Sequence, residues 1–285
     1  MECFLFMNSK SIIMKTKILF FLMLFLAISC ATNPFTGKKT LAILPNSQIL
    51  PMAFAQYDQF LTENKVITGT AESDMVKRVG QRISAAAKRW LDANNYQGYL
   101  KDYKWEYNLV DDATVNAWCM PGGKIVFYTG IMPIAATETG VAAIMGHEVA
   151  HALANHGQQR MSAGLLQQAG AVAGNVAIKN EKHRNIFNQS YGIGSTVLGV
   201  LPFSRGHETE ADQIGVYIMA IAGYNPDEAS KLWERMKANN NGKQGPPEFL
   251  STHPSNDSRI ANLKALAPKA RAEAQKFGVT SFRSY

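Results

Sequence analysis

Two histidines four positions apart, His147 and His151, with Glu148 beside the first, open the run HEVAHALANH at residues 147–156. On an α-helix, positions i and i+4 lie on one face a turn apart, so two imidazoles can reach a single ion. Glu148 stands near enough to act on a water held by that ion and is not placed as a third ligand. Val141, Ile144 and Met145 recur at helical spacing just upstream, which gives the motif the helix it needs. The chemistry such a set supports is hydrolysis at zinc. A catalytic zinc keeps three protein ligands and leaves a position for water, whose pKa falls to about 7. Glu148 would take the water's proton and return it to a leaving amine, which makes peptide-bond hydrolysis the natural reaction.

The third ligand has two candidates. In the pattern HExxHxxGxxH a third histidine follows ten places after the first, with glycine at the seventh; here those places hold Gly157 and Ala154. His156 is one residue out of register. On a continuing helix the five residues from His151 turn by about 500°, which carries His156 off the ligand face. It reads as a helix-end residue, where an imidazolium is favoured by the helix dipole. The other candidate is a carboxylate. SRGHETEAD, residues 204–212, sets Glu208 and Asp212 at i and i+4 on a second helix. One can bind the ion while the other accepts the outer N–H of a ligating histidine and fixes its tautomer. Glu210, two positions from each, points elsewhere.

These residues need elements to hold them. The periodicity predicts a first helix over 48–63, around Phe54, Tyr57 and Phe60, and a longer amphipathic helix over 72–93 carrying Met75, Val76, Val79, Ile83, Ala86 and Trp90. Trp105, Tyr107 and Leu109 alternate with polar neighbours as on a half-buried strand. Two more strands, Ala117–Met120 and Lys124–Thr129, are joined by the turn signal Pro121-Gly122-Gly123. The motif helix should run from Thr137 to His156, with Gly157 as its stop. In residues 160–203 polar residues such as Gln167, Asn175 and Lys179 interrupt every apolar run of spanning length, so two helices packed on the core or over the cleft are expected there. Further helices are predicted over 205–222, after the cap Asn225-Pro226, and over 256–276. The fold class is α+β, predominantly helical, with a small sheet beside the motif helix. No repeat and no long linker divides residues 48–285, which form one domain.

Composition narrows the class further. The 285 residues carry a net charge of +7, and +5 without the first 29 (26 Lys and Arg against 21 Asp and Glu). So small a surplus, without basic clusters, excludes nucleic acid as a partner and suits a body near an anionic membrane. MKTKILFFLMLFLAISC, residues 14–30, has the layout of a secretory signal peptide, and its apolar run Ile18–Ile28 is shorter than the roughly 20 residues of a membrane span. Ending on Ser29-Cys30 makes it a lipoprotein-type signal over 1–29, with Met14 the expected start. Cys30 would carry the lipid, and the turn-rich stretch 30–47 would be the lipidated tether. Only Cys119 then remains internal, so the mature chain has no disulfide, and nothing pairs that thiol with a base.

HEVAH, the later ETEAD, the strand-turn-strand NAWCMPGGKIVFYTG, LPFSR, STHP and the tether TNPFTGKK together resemble the zinc metallopeptidase family of the CAAX prenyl endopeptidases and HtpX, closest to its soluble periplasmic lipoprotein members of the LoiP and BepA kind. The resemblance spans most of the mature chain and implies a zincin-like domain. It implies that His147, His151 and Glu208 bind one Zn2+ per chain, that Glu148 is the catalytic carboxylate, and that Asp212 supports a ligating histidine. It also implies a substrate class, misfolded or mis-assembled cell-envelope polypeptides, and a periplasmic site on a lipid anchor, the outer membrane being the expected one. The chain departs from the wider family in lacking multiple membrane helices and a C-terminal tetratricopeptide array. That argues against prenyl-protein processing and against partners recruited by such repeats.

His253 and Arg259, in STHPSNDSR, are the candidate donors to the tetrahedral oxyanion. With the resemblance, His253 is also a candidate reversible fourth ligand that blocks water in a latent state. Asn116 and Ala117 would lie on an edge strand able to pair with an extended peptide, with Gly122 and Gly123 forming its turn; an ordinary hairpin with an inward Trp118 is the equal alternative. The competing function is a non-proteolytic chaperone or scaffold lipoprotein that keeps the zinc site for structure. Glu148 discriminates, since a structural site has no use for a carboxylate beside its ligands.

Overall fold

In a computed structural model the described residues are 30–194, 201–239, 248–253 and 257–285. The expected signal segment 1–29, residues 195–200 of the predicted helical pair and Pro254–Asn256 of STHPSNDSR lie outside them. Strands β1 (Cys30–Thr32) and β2 (Lys39–Leu41) are followed by helix α1 (Asn46–Glu63), strand β3 (Val66–Ile67), helix α2 (Ala71–Ala93), and strands β4 (Glu106–Val110), β5 (Ala117–Met120) and β6 (Lys124–Tyr128). Helices α3 (Met132–Ala135), α4 (Glu138–Leu153), α5 (His156–Ala177), α6 (Glu181–Gly194), α7 (Leu201–Ile221), α8 (Asp227–Asn239), α9 (Glu248–Thr252) and α10 (Asp257–Lys276) complete the chain. The molecule is predominantly helical with a small mixed sheet, as its periodicities predict.

The sheet runs in the order β3-β4-β6-β5, with β4 parallel to β6 and the other pairs antiparallel. β5 is therefore an edge. The turn that joins β5 to β6 needs glycine twice. Gly122 and Gly123 sit at φ +84 and +86, and a Cβ on them would come within 2.5 Å of the Phe54 ring and 2.4 Å of Trp105. Their lack of side chains serves turn geometry and packing. Trp118 packs inward with Tyr57 and Phe60, edge to face.

α2 starts on a capping box, in which Thr70 Oγ1 accepts from the Ser73 amide and Ser73 Oγ from the Thr70 amide. It buries Val76, Val79, Ile83, Ala87 and Leu91 against the sheet and α4. α4 is buried on every side from Thr139 to Leu153, which is why it carries no amphipathic pattern of its own. Its start is fixed by Thr137, whose Oγ1 accepts from the Gly140 amide, and by Glu138, bonded to Arg78, Arg82 and Tyr224. α7 crosses α4 backbone to backbone. A Cβ on Gly146 would lie 2.8 Å from the Gly215 carbonyl oxygen, and one on Gly215 would lie 2.8 Å from the Gly146 carbonyl carbon.

Two expectations are corrected. The motif helix ends at Leu153 rather than His156, because Asn155 adopts φ +55 and turns the chain into a new helix beginning at His156 itself. The predicted pair in 160–203 is α5–α6, but among the described residues only the first turns of α5 (His156, Gln158, Gln159, Ser162) are buried. Beyond them α5 packs on α6, through Gly174 against Phe187 and paired Asn175–Asn188 bonds, and leaves Val172 and Val176 exposed. The stretch 30–47 also carries structure. It forms the β1–β2 hairpin, whose Phe35 stacks on Trp90 at 4.4 Å between ring centres, while β2 packs beside α5. No described helix is long and apolar enough to cross a membrane.

Candidate active site

Four side chains from three parts of the fold converge. His147 and His151 come from α4, Glu208 from α7, and His253 from the end of α9, where its amide bonds the Phe249 carbonyl. One ligand atom from each lies within 4.8 Å of every other. His147 Nε2 is 3.1 Å from His151 Nε2 and 3.3 Å from Glu208 Oε2; His151 Nε2 is 3.4 Å from Glu208 Oε1. His253 Nδ1 joins them at 3.1 Å from His147 Nε2 and 2.9 Å from Glu208 Oε2. Two or three imidazoles and one carboxylate are a donor set suited to zinc, so the residues fit such an ion.

Glu148 lies one residue from this cluster and is 3% exposed. Among the described residues its Oε1 makes no hydrogen bond, although His253 Nε2 stands 3.5 Å away. A buried carboxylate oxygen without a partner is costly unless something else is meant to meet it. Burial pushes the Glu148 carboxyl up, tempered by the charges of His253 and His147. Glu208 is the reverse case: burial would raise it, but its bonds to the three imidazoles hold it well below the ordinary carboxylate range.

Behind His147 the outer nitrogen Nδ1 is 3.0 Å from Asp212 Oδ1. Asp212 in turn accepts two bonds of 2.7 Å from Arg259, whose guanidinium also reaches Glu208 at 3.2 Å and lies 3.6 Å from the centre of the Trp233 ring. Burial would raise Asp212; the Arg259 charge and the His147 bond outweigh it and lower it. Arg259 thus faces the carboxylates on the protein side of the cluster.

His156 is a correction. It is not a charged helix-end residue but a fully buried one, its Nδ1 2.9 Å from His151 Nδ1 and its Nε2 3.1 Å from Glu210 Oε2. Burial lowers its pKa against the pull of Glu210. His207 stacks on it at 4.0 Å and is pushed down to about 3, chiefly by burial. Glu210 points away from the cluster, as its spacing predicts, and toward a partner the spacing did not reveal. The signal lay in Asn155, a residue type that tolerates left-handed backbone and so can break a helix between His151 and His156.

Of the remaining predicted residues, Ala117 is on edge strand β5 and Asn116 directly precedes it, both buried, while Gly122 and Gly123 face Phe54 and Trp105. Cys119 is half-buried; burial first, and Glu148 second, push its thiol well above the ordinary range, the opposite of an activated nucleophile. Cys30 pairs with Leu41 in the hairpin.

A helix-borne His-Glu-His set joined by a carboxylate from a neighbouring helix, beside a small sheet with β5 at its edge, defines a metallopeptidase-type centre. The chain belongs to Peptidase family M48, whose sequence profile matches residues 75–267. Its relatives include the mitochondrial metalloendopeptidase OMA1 of Saccharomyces cerevisiae, 35% identical over 220 residues, or 74% of this chain and 60% of that one. OMA1 of Schizosaccharomyces pombe is 34% identical over 62% of this chain and 50% of its own. The beta-barrel assembly-enhancing protease of Escherichia coli K12 is 25% identical over 59% of this chain and 35% of its own. The chain spans about half the length of the two yeast relatives it matches.

Proposed function

We propose that this chain is a zinc-dependent endopeptidase in which His147, His151 and Glu208 hold the metal and Glu148 handles the proton. The observation that carries the reading is the unpartnered, buried Glu148 Oε1 beside the convergent ligand atoms. Zinc held there supplies Lewis acidity toward a carbonyl oxygen and toward water. Glu148 accepts the proton of the attacking water at its carboxylate and delivers it to the leaving amine nitrogen. Asp212 keeps the His147 ring turned so that Nε2 faces the metal, and Arg259 holds Asp212 and Glu208 in place rather than donating to the oxyanion. β5, with Asn116 and Ala117 at its start, ends the sheet, and an extended substrate backbone adding there as a further strand would favour unfolded polypeptides of varied sequence. The direct test is cleavage of casein or another unfolded protein by wild type and Glu148→Gln, with zinc measured on both. The variant should keep its zinc and lose about 10²- to 10⁴-fold in rate; equal zinc with equal cleavage defeats the mechanism.

The cellular setting belongs to the same reading. The lipoprotein-type signal supports export and a lipid on Cys30, hence a periplasmic enzyme on a bacterial membrane, the outer one favoured, acting on misfolded or mis-assembled envelope proteins. The likeness to a beta-barrel assembly-enhancing protease is in keeping with that. A second reading rests on His253, whose Nδ1 sits among the ligand atoms. With four protein ligands the site is closed to water, which is a latent enzyme, or a structural site if it never opens. His253→Ala should retain zinc and cleave faster than wild type if His253 blocks the water position. Unchanged activity and unchanged coordination sink that role.

A further inference from the structure

The two metal-facing imidazoles are supported differently. His147 Nδ1 meets the Asp212 carboxylate directly. His151 Nδ1 meets another imidazole, His156, whose far nitrogen meets Glu210, whose other oxygen accepts from the hydroxyl of Thr36 at 2.6 Å. Thr36 belongs to the loop of the β1–β2 hairpin, 174 positions away from Glu210 in sequence. Lys38 of the same hairpin lies 3.8 Å from the same Glu210 oxygen.

Donor and acceptor roles along this line have one consistent assignment. If His151 Nε2 faces the metal, its Nδ1 must carry the proton and donate. His156 Nδ1 must then accept, so the His156 proton is on Nε2 and is donated to Glu210. Glu210, an acceptor only, closes the line by receiving the Thr36 hydroxyl. The middle of the line is held rigidly: His156 is fully buried and stacked on His207, and His207 Nε2 is 3.0 Å from Gln159 Oε1. The far end is held by the hairpin, through Phe35 on Trp90, and by the residues just after it, through the Ile43 amide on Ser162 Oγ and Gln158 on the Leu44 carbonyl.

We propose that His156 and Glu210 are positioning residues for His151, and that the N-terminal hairpin, through Thr36, completes the support, so that the segment that follows Cys30 is a working part of the metal centre. This rests on the metal-site reading above. A ligating imidazole whose outer N–H is fixed by a hydrogen-bonded carboxylate binds metal more tightly and in one orientation. Here the carboxylate acts at one remove and is itself oriented by the hairpin.

The test uses the zinc-loaded full chain, wild type against Glu210→Gln and Thr36→Val, with Thr36→Ser as the conservative control. Three quantities are read: the zinc dissociation constant by chelator competition, the visible spectrum after cobalt replacement, and the ¹⁵N shifts of the His151 ring. Glu210→Gln should weaken zinc about 10- to 100-fold and alter the cobalt spectrum. Thr36→Val should move both in the same direction by a smaller factor and lower kcat with KM unchanged, and Thr36→Ser should restore them. Wild-type shifts should mark His151 Nδ1 as protonated and Nε2 as metal-bound. The inference is overturned if folded Glu210→Gln keeps wild-type affinity and spectrum, or if Nδ1 proves to be the ligand atom. Should Glu210→Gln fail to fold, Thr36→Val decides by the same readings. A wild type that takes up no zinc at all overturns the metal-site reading instead.

Discussion

Arg259 grips Asp212 through two bonds of 2.7 Å, from Nε and Nη2, with its guanidinium carbon 3.6 Å from the centre of the Trp233 ring. A planar fork meeting a carboxylate fixes direction as well as charge, which lysine cannot do. Asp212→Asn should therefore weaken zinc about 10- to 100-fold with the fold intact. Arg259→Lys, which keeps the charge and loses the fork, should fall between that variant and wild type. Chelator competition on the three proteins checks the order; a lysine variant equal to wild type would show that charge alone suffices.

Zinc should stabilise the fold as well as the reaction. A ligand present at 100 times its Kd adds about 2.7 kcal/mol. For a domain of this size that is a rise of roughly 5–11 °C in the unfolding midpoint. Calorimetry with and without added zinc measures it, and His147→Ala should abolish the zinc-dependent part.

The start of α4 gives a pH dependence of known sign. Burial alone would raise Glu138, but the bonds from Arg78 and Tyr224 prevail and lower it below its ordinary 4.5. A carboxyl lowered in the folded state binds its proton more weakly there than in the unfolded chain. The stability it contributes is present above about pH 4.5 and is lost as pH falls through the folded value. Urea unfolding at pH 6 and at pH 3.5 should thus show a steeper acid loss in wild type than in Glu138→Gln. Parallel losses would place the acid sensitivity elsewhere.

Gly215→Ala should be costly for so small a change. The new Cβ would lie 2.8–2.9 Å from Gly146 and His147 backbone atoms, which cannot swing aside as a side chain does. Overpacking of this kind costs about 1–3 kcal/mol, or roughly 2–12 °C in the midpoint. Because the intrusion separates α4 from α7, zinc affinity should fall with stability. Unchanged affinity in a destabilised variant would mean that the ligands follow one another despite the shift.

What the sequence disclosed and what it hid follow from range. His147, Glu148 and His151 sit within one helical turn, and Glu208 and Asp212 within another, so local periodicity suffices to place each pair on a face. The strands beside them announce themselves by alternation and by Pro121-Gly122-Gly123. His156 is absent from the convergent ligand atoms, as its register predicts, but its buried contact with His151 is not legible along a helix that Asn155 ends. Thr36 was invisible because its contact with Glu210 spans most of the domain and depends on a hairpin too short to leave a periodic signal. Trp233 carries a core residue's pattern and gives no hint that an arginine lies on its face.

The bare contact between Gly146 and Gly215 has one more consequence. It locks the two ligand-bearing helices together without help from the 57 positions that separate His151 from Glu208. Covalent continuity through that stretch is then dispensable to the assembled site. A protease nick at Lys179 or Asn180, between α5 and α6, should yield two fragments that travel as one species on gel filtration and still carry one zinc.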